Sequence, residues 1–193
     1  MNWQLLINPF NKFSEKTLLF FGIITFCIGS YVAFLCGATF DGLIDVHLNS
    51  ELTFFDSLKE NCFDLVLITL LLFIFGKIIN PRTRFIDILN AGFLFRIPFY
   101  FMALLMTFPF LKSFENEVQK NINSLEKLVI KPLDLVMILV LSCVLILLLV
   151  YAITLLFQGF KTATNAKKPI HFVVFGLLIF FAEILSKTIL PLI

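Results

Sequence analysis

The chain has 193 residues, of which 60% are hydrophobic and only 15% are charged. A soluble domain is about 45–50% apolar and about 25% charged, and a small globule cannot hide this much apolar surface from water. The composition therefore excludes a disordered chain, a disulfide scaffold and an ordinary soluble domain, and predicts a polytopic membrane protein. The net charge of +2 is too balanced to indicate nucleic acid as a partner.

Five apolar stretches are long enough to cross a bilayer, which requires about 20 residues. They cover residues 17–40, 62–79, 88–111, 135–160 and 170–193, after an N-terminal interfacial segment, residues 1–16. Because no stretch alternates as transmembrane strands do, we expect an all-α membrane domain with its five transmembrane helices in one bundle.

An amphipathic extramembrane helix is predicted between spans three and four. Phe114, Val118, Ile122, Leu125 and Val129 recur at intervals of three or four residues, which is helical periodicity. Such a helix either lies on the bundle or the membrane interface, or binds a partner. In the connection between spans one and two, residues 49–51 are expected to start a short helix.

The distribution of basic residues predicts the orientation. The connections between spans one and two and between spans three and four lie on one side of the membrane. They carry five basic residues: Lys59, Lys112, Lys120, Lys127 and Lys131. Eight lie on the opposite side: Lys12, Lys16, Lys77, Arg82, Arg84, Lys161, Lys167 and Lys168. The positive-inside rule then places the N-terminus in the cytoplasm and the C-terminus outside.

Charged residues within the spans are the candidate functional residues, because charge is costly in lipid. Arg96 lies near the middle of span three, and Glu183 and Lys187 lie four residues apart on span five. We expect Glu183 to pair either with Arg96 or with Lys187. Three interpretations remain open: a structural ion pair, a polar pathway for protons or cations, and snorkelling without a partner.

Small residues form a stripe on the first span, at Gly29, Ala33 and Gly37. Small residues at intervals of four let another helix approach closely. The partner is either a helix of the same chain, or a second copy or another membrane protein.

No catalytic motif is present, neither HExxH, a phosphate-binding loop nor GxSxG, so we expect no enzymatic activity and no cofactor. The four cysteines form no CxxC pair, which gives no support to a redox or zinc site. Asp41, Asp45 and His47 suggest a weak cation site, but a solvated acidic loop is the preferred interpretation, so no metal is expected.

The sequence resembles the Yip-domain family of five-span membrane proteins. The resemblance lies in the five spans, in Asn8-Pro9-Phe10 before the first span, and in the connection LFQGFKTAT at residues 156–164. Eukaryotic members bind Rab GTPases in vesicle traffic, through a long cytoplasmic N-terminal region and an Asp-Leu-Tyr-Gly-Pro stretch. This chain has neither, so the resemblance is to the short bacterial branch and Rab binding is not expected.

These features together predict a non-enzymatic, Yip-like integral protein of the bacterial cytoplasmic membrane. It would act through helix packing and partner contacts in membrane organisation or trafficking. The alternative is a small-solute or ion transporter, or a transporter subunit, that uses Arg96 and Glu183. A weaker third possibility is a membrane-shaping protein.

Overall fold

The computed structural model describes residues 3–49, 53–120 and 131–192. The all-α class is confirmed, since five helices in one bundle are long and apolar enough to cross a membrane. These are α2 (Glu15–Cys36), α3 (Phe54–Ile79), α4 (Phe85–Met106), α6 (Pro132–Thr164) and α7 (Pro169–Ile189). The protein is therefore an integral, multi-pass membrane protein.

Shorter elements complete the described chain. They are α1 (Trp3–Ile7), α5 (Pro109–Lys120), two single 3₁₀ turns (Pro9–Asn11 and Leu190–Leu192), and the two-residue strands β1 (Ala38–Thr39) and β2 (His47–Leu48). Helix α5 contains the first part of the predicted amphipathic helix. The remainder of that prediction, residues 121–130, lies outside the described residues.

The first span ends earlier than predicted, at Cys36 and not at residue 40. Gly37 caps α2 in the left-handed conformation, with φ at +66°, which is a common way for a helix to stop. The next residues form an antiparallel pair of two-residue strands, in which Ala38 faces Leu48 and Thr39 faces His47. Such a short pair carries no alternating pattern, so hydropathy does not predict it.

The second span begins earlier than predicted, at Phe54 and not at residue 62. The Thr53 hydroxyl accepts a bond from the Asp56 N–H, and the Asp56 carboxylate accepts one from the Thr53 N–H, each at 3.2 Å. This capping box starts the helix. Asp64, two residues from the predicted start of this span, therefore lies well inside α3. Of the predicted short helix at 49–51, residues 50–52 lie outside the described part.

Helix α4 is at the centre of the bundle. In the apolar 18-residue stretch of α4, 72% of the residues are buried, whereas in that of α6 only 11% are. Helices α2, α3 and α6 pack around α4, and α7 packs against α3. Phenylalanine rings fill the space between α6 and α7, where Phe157 contacts both Phe172 and Phe175.

The N-terminal segment lies along α6. The Tyr151 hydroxyl donates a hydrogen bond to the Leu6 carbonyl at 3.0 Å. Further along, the Phe10 ring covers Gly159, where a Cβ atom would lie 2.8 Å from it. The two short segments that carry the family resemblance, around Asn8-Pro9-Phe10 and residues 156–164, therefore pack against each other.

Candidate functional site: a buried ion pair beneath the α2–α3 loop

Arg96 of α4 is completely buried, and its ionic partner is Asp64 of α3. The Nη1 atom of Arg96 lies 3.4 Å from the Asp64 Oδ2 atom, and both side chains are 0% exposed. Nε donates a hydrogen bond to the Asn61 Oδ1 atom at 2.6 Å, and Nη1 donates one to the Leu43 carbonyl at 3.1 Å. A buried guanidinium needs such partners, because desolvation of an unpaired charge is prohibitive.

Two aromatic rings enclose the guanidinium. Its central carbon lies 4.5 Å from the centre of the Phe40 ring and 5.1 Å from that of Phe99. A cation over an aromatic face gains attraction, and the gain is larger away from water. Phe40 belongs to the α2–α3 loop, described over residues 37–49, so this loop contributes both a ring and the Leu43 carbonyl to the site.

A buried hydrogen-bond network extends from the pair to α2 and α7. The Asn61 amide donates to the Ser30 hydroxyl and to the Tyr100 hydroxyl, each at 2.7 Å. On the other side, the Ser186 hydroxyl of α7 donates to Asp64. The network therefore joins α2, α3, α4 and α7, which fixes how far each helix can slide along its neighbours.

Of the two predicted partners of Glu183, the structure shows Lys187. Among the described residues, Arg96 forms its ion pair with Asp64 instead. The Glu183 Oε1 atom lies 3.2 Å from the Lys187 Nζ atom. Its other oxygen accepts a hydrogen bond from the Ile44 N–H at 2.9 Å. A Cβ atom on Gly42 would lie 2.5 Å from Glu183 Oε1, so a side chain at this position would displace the carboxylate from its present place.

A second carboxylate, Glu60 of α3, holds the start of the same loop. It accepts hydrogen bonds from the Thr39 hydroxyl at 2.7 Å and the Phe40 N–H at 2.8 Å. Phe40 and Leu43 are 0% exposed and Val46 is also buried. The α2–α3 loop is thus inserted into the bundle over Arg96, with carboxylates of α3 and α7 satisfying its backbone.

A partly exposed ion pair also links the loop to α7. The Asp45 Oδ2 atom lies 2.6 Å from the Lys187 Nζ atom. Partial burial acts to raise the pKa of Asp45. The hydrogen bond from Lys187 and the charges of Lys187 and His47 outweigh it and lower the pKa below the ordinary value. The carboxylate is therefore held in its charged form.

The acidic residues near His47 are brought together as the sequence suggested. One ligand atom each from Asp41, Asp45 and His47 lie within 4.8 Å of one another. The Asp45 oxygen nearest His47 is also the one bound by Lys187, so a cation would compete with an ammonium group already in place.

The small-residue stripe of α2 faces α4. A Cβ atom on Gly29 would lie 2.2 Å from the Tyr100 ring, and Ala33 is completely buried. Gly37 is the C-cap of α2. Gly22, on nearly the same stripe, faces Phe93 in the same way. The stripe is therefore occupied by a helix of the same chain, the first of the two interpretations.

Asp64, Asn61 and Glu60 are the site residues that sequence reasoning missed. Ser57, Asn61 and Asp64 are spaced four and three residues apart, so they line one helix face. That polar stripe on an otherwise apolar helix was a usable signal. The predicted span begins at residue 62 and therefore leaves Ser57 and Asn61 outside it.

Comparison of the chain with protein-family models, curated proteins and solved structures found no match.

Proposed function

We propose that the protein is a non-catalytic, Yip-like integral protein of the bacterial cytoplasmic membrane, with its N-terminus in the cytoplasm and its C-terminus outside. In this proposal the charged residues within the spans are structural, and the protein works through contacts with other membrane proteins in membrane organisation or trafficking. The main support is the complete burial of Arg96 and Asp64 beneath the α2–α3 loop. A transport site needs access to water from at least one side.

The lipid-facing surface supports a role in partner contacts. Helix α6 has 33 residues, and only 11% of its most apolar stretch is buried within the chain. The N-terminal half of this long helix is therefore available to lipid or to another protein, whereas most of its buried residues lie in the C-terminal half. The contact of Phe10 with Gly159 supports the family proposal, because it joins the two segments on which the resemblance depends.

The partner proposal is tested by photo-crosslinking in the native membrane. A photoreactive residue at Val140 or Leu147 of α6, which are 60% and 67% exposed, should give the same crosslinked protein from both positions. The matched control is Phe20 on α2, which is 70% exposed. Crosslinks to lipid alone from both α6 positions would contradict the proposal.

Orientation is tested by labelling single cysteines in a variant without the four native ones. A membrane-impermeant maleimide should label His47→Cys in intact cells, because that side of the bundle is proposed to face outwards. It should label Lys167→Cys only after permeabilisation. The reverse result would invert the topology.

Transport remains the second candidate, because two atoms of the ion pair lack hydrogen bonds. Among the described residues, the Arg96 Nη2 atom and the Asp64 Oδ2 atom have no hydrogen-bond partner. Orphaned buried polar atoms need an explanation, and a water or ion reaching the pair when the loop opens would supply one.

Reconstituted vesicles separate the two candidates. With a pH-sensitive dye and a potential-sensitive dye inside, the structural proposal predicts that the protein dissipates neither gradient faster than empty vesicles do. Dissipation by the wild type that Asp64→Asn abolishes, and that the exposed substitution Lys59→Met leaves intact, would favour transport.

A further inference from the structure

A polar cavity of about 490 Å³ lies at the opposite end of the bundle from the ion pair, between the starts of α2 and α4 and the end of α6. Ligand pockets typically measure about 300–1,000 Å³. Its ionisable lining residues are Glu15, Asp87 and Arg84, so two carboxylates face one guanidinium. Nothing in the proposed function uses this cavity.

The single guanidinium is already committed to the carboxylates. Arg84 donates to Asp87 through Nε at 3.0 Å and Nη2 at 2.9 Å, and its Nη2 atom lies 2.6 Å from Glu15. A simple anion would have to compete with both carboxylates. The cavity therefore favours a ligand that brings a positive charge, and the outer edge of Arg84, 60% exposed, suits a phosphate beside that charge.

Asn90 supplies an unused hydrogen-bond acceptor. The side chain is 1% exposed and lines the cavity. Its amide donates to the Glu15 carbonyl at 3.1 Å, which fixes the orientation of the group. Its Oδ1 atom has no hydrogen-bond partner among the described residues. A buried acceptor without a partner is uncommon, and a rotation of this side chain toward the cavity would present the oxygen to an N–H or O–H donor on a ligand.

An apolar groove of about 200 Å³ adjoins the cavity. It is lined by residues of the N-terminal segment, α2 and α4, including Pro9, Phe21 and Leu94. Phe13 and Leu18 line both the cavity and the groove. A ligand in the cavity can therefore place an apolar chain in the groove without leaving the surface of the bundle.

We propose that this cavity binds the headgroup of phosphatidylethanolamine, with one acyl chain in the adjoining groove. The primary ammonium provides N–H donors for Asn90 Oδ1 and charge for Glu15 and Asp87, and the phosphate faces Arg84. Phosphatidylcholine carries the same charge but no N–H donor. Phosphatidylglycerol carries no ammonium at all. The site thus selects for the ammonium N–H groups.

The test is lipid binding to the purified full-length protein, by native mass spectrometry and by thermal stabilisation on titration with each lipid. Phosphatidylethanolamine should bind about tenfold more tightly than phosphatidylcholine or phosphatidylglycerol, the scale of one hydrogen bond to a charged group. Equal binding of the three lipids would overturn the proposal. So would equally tight binding of free phosphoethanolamine, since the groove would then contribute nothing.

Variants localise the effect. Asp87→Asn should reduce the preference for phosphatidylethanolamine over phosphatidylglycerol, because it removes a negative charge that attracts the ammonium. Thr162→Trp should fill the cavity from an exposed position and weaken phosphatidylethanolamine binding. Asp134→Asn and Thr188→Trp, at the other end of the bundle, are the matched controls. Unchanged binding in both cavity variants would contradict the assignment. Because binding is measured without partners or flux, its outcome is independent of the proposed function.

Discussion

Arg96 and Asp64 form an ion pair in which neither side chain has any solvent exposure, with 3.4 Å between Nη1 and Oδ2. The pair joins the central helix α4 to α3. Leu43 and Phe40 cover it from the α2–α3 loop. Loop position and helix packing therefore depend on the same two charges.

Removing one member of this pair should be far worse than removing both. We expect Asp64→Leu or Arg96→Met alone to lower the free energy of unfolding by about 3–5 kcal/mol, because each leaves an unpaired buried charge. The double variant should cost clearly less than the sum. Unfolding in detergent measures all three.

The exposed pair of Lys59 with Asp56, 3.8 Å apart, gives the control for that cycle. Lys59→Met should change stability by less than about 1 kcal/mol. If the stability loss of the double variant equals the sum of the losses of Asp64→Leu and Arg96→Met within about 0.5 kcal/mol, Arg96 and Asp64 are not coupled.

Two glycines on lipid-facing helices should respond oppositely to alanine. Gly29→Ala places a methyl group 2.2 Å from the Tyr100 ring and should destabilise the protein by about 1–3 kcal/mol. Gly176 has nothing within 4 Å of the added atom, so Gly176→Ala should be neutral or stabilising by up to about 1 kcal/mol. Thermal unfolding of Gly29→Ala and Gly176→Ala measures both effects. Equal changes in stability would mean that α2 does not pack on α4 through this stripe.

Loss of the Glu183 carboxylate should release the α2–α3 loop. Glu183→Ala removes the acceptor for the Ile44 N–H, so hydrogen exchange at that amide should accelerate about tenfold, the scale of a hydrogen bond to a charged group. Glu183→Gln keeps an acceptor and should lie between this variant and the wild type. Asp134→Ala is the control and should leave exchange at the Ile44 amide unchanged. A wild-type exchange rate at that amide in Glu183→Ala would contradict its contact with Glu183.

The contact of Asp45 with Lys187 predicts a loss of stability in acid. The pKa of Asp45 is lower in the folded state than its ordinary value, which is about 3.9 in an unfolded chain. Its contribution is therefore complete above about pH 5 and is lost as the pH falls from there through the folded value. Lys187, His47, Asp41 and Glu183 are the charged groups around it.

Unfolding midpoints of the wild type and Asp45→Asn between pH 6 and pH 3 measure that contribution. The difference between the two proteins should be constant above pH 5 and shrink below pH 4. A difference that instead grows with acidity would contradict the assignment of Asp45.

Composition and hydropathy were enough to establish that this chain is a bundle of membrane helices. A 60% hydrophobic composition and five long apolar stretches leave no other solution, because backbone polar groups in lipid must be satisfied within helices or closed barrels. The sequence also indicated Arg96 as a candidate site residue, since charge inside an apolar span is costly, but it left open whether the arginine is paired, lines a polar pathway or snorkels.

The partner of Arg96 could be identified only from the packing of the folded chain. Asp64 lies two residues inside the start of the predicted span at residue 62, whereas the capping box at Thr53 starts α3 eight residues earlier and places Asp64 deep inside the helix. Leu43 and Ile44 contribute backbone groups, and any residue type carries those. The pairing of helix faces and the position of the loop over Arg96 depend on contacts between segments far apart in the chain. Hydropathy does not predict such contacts.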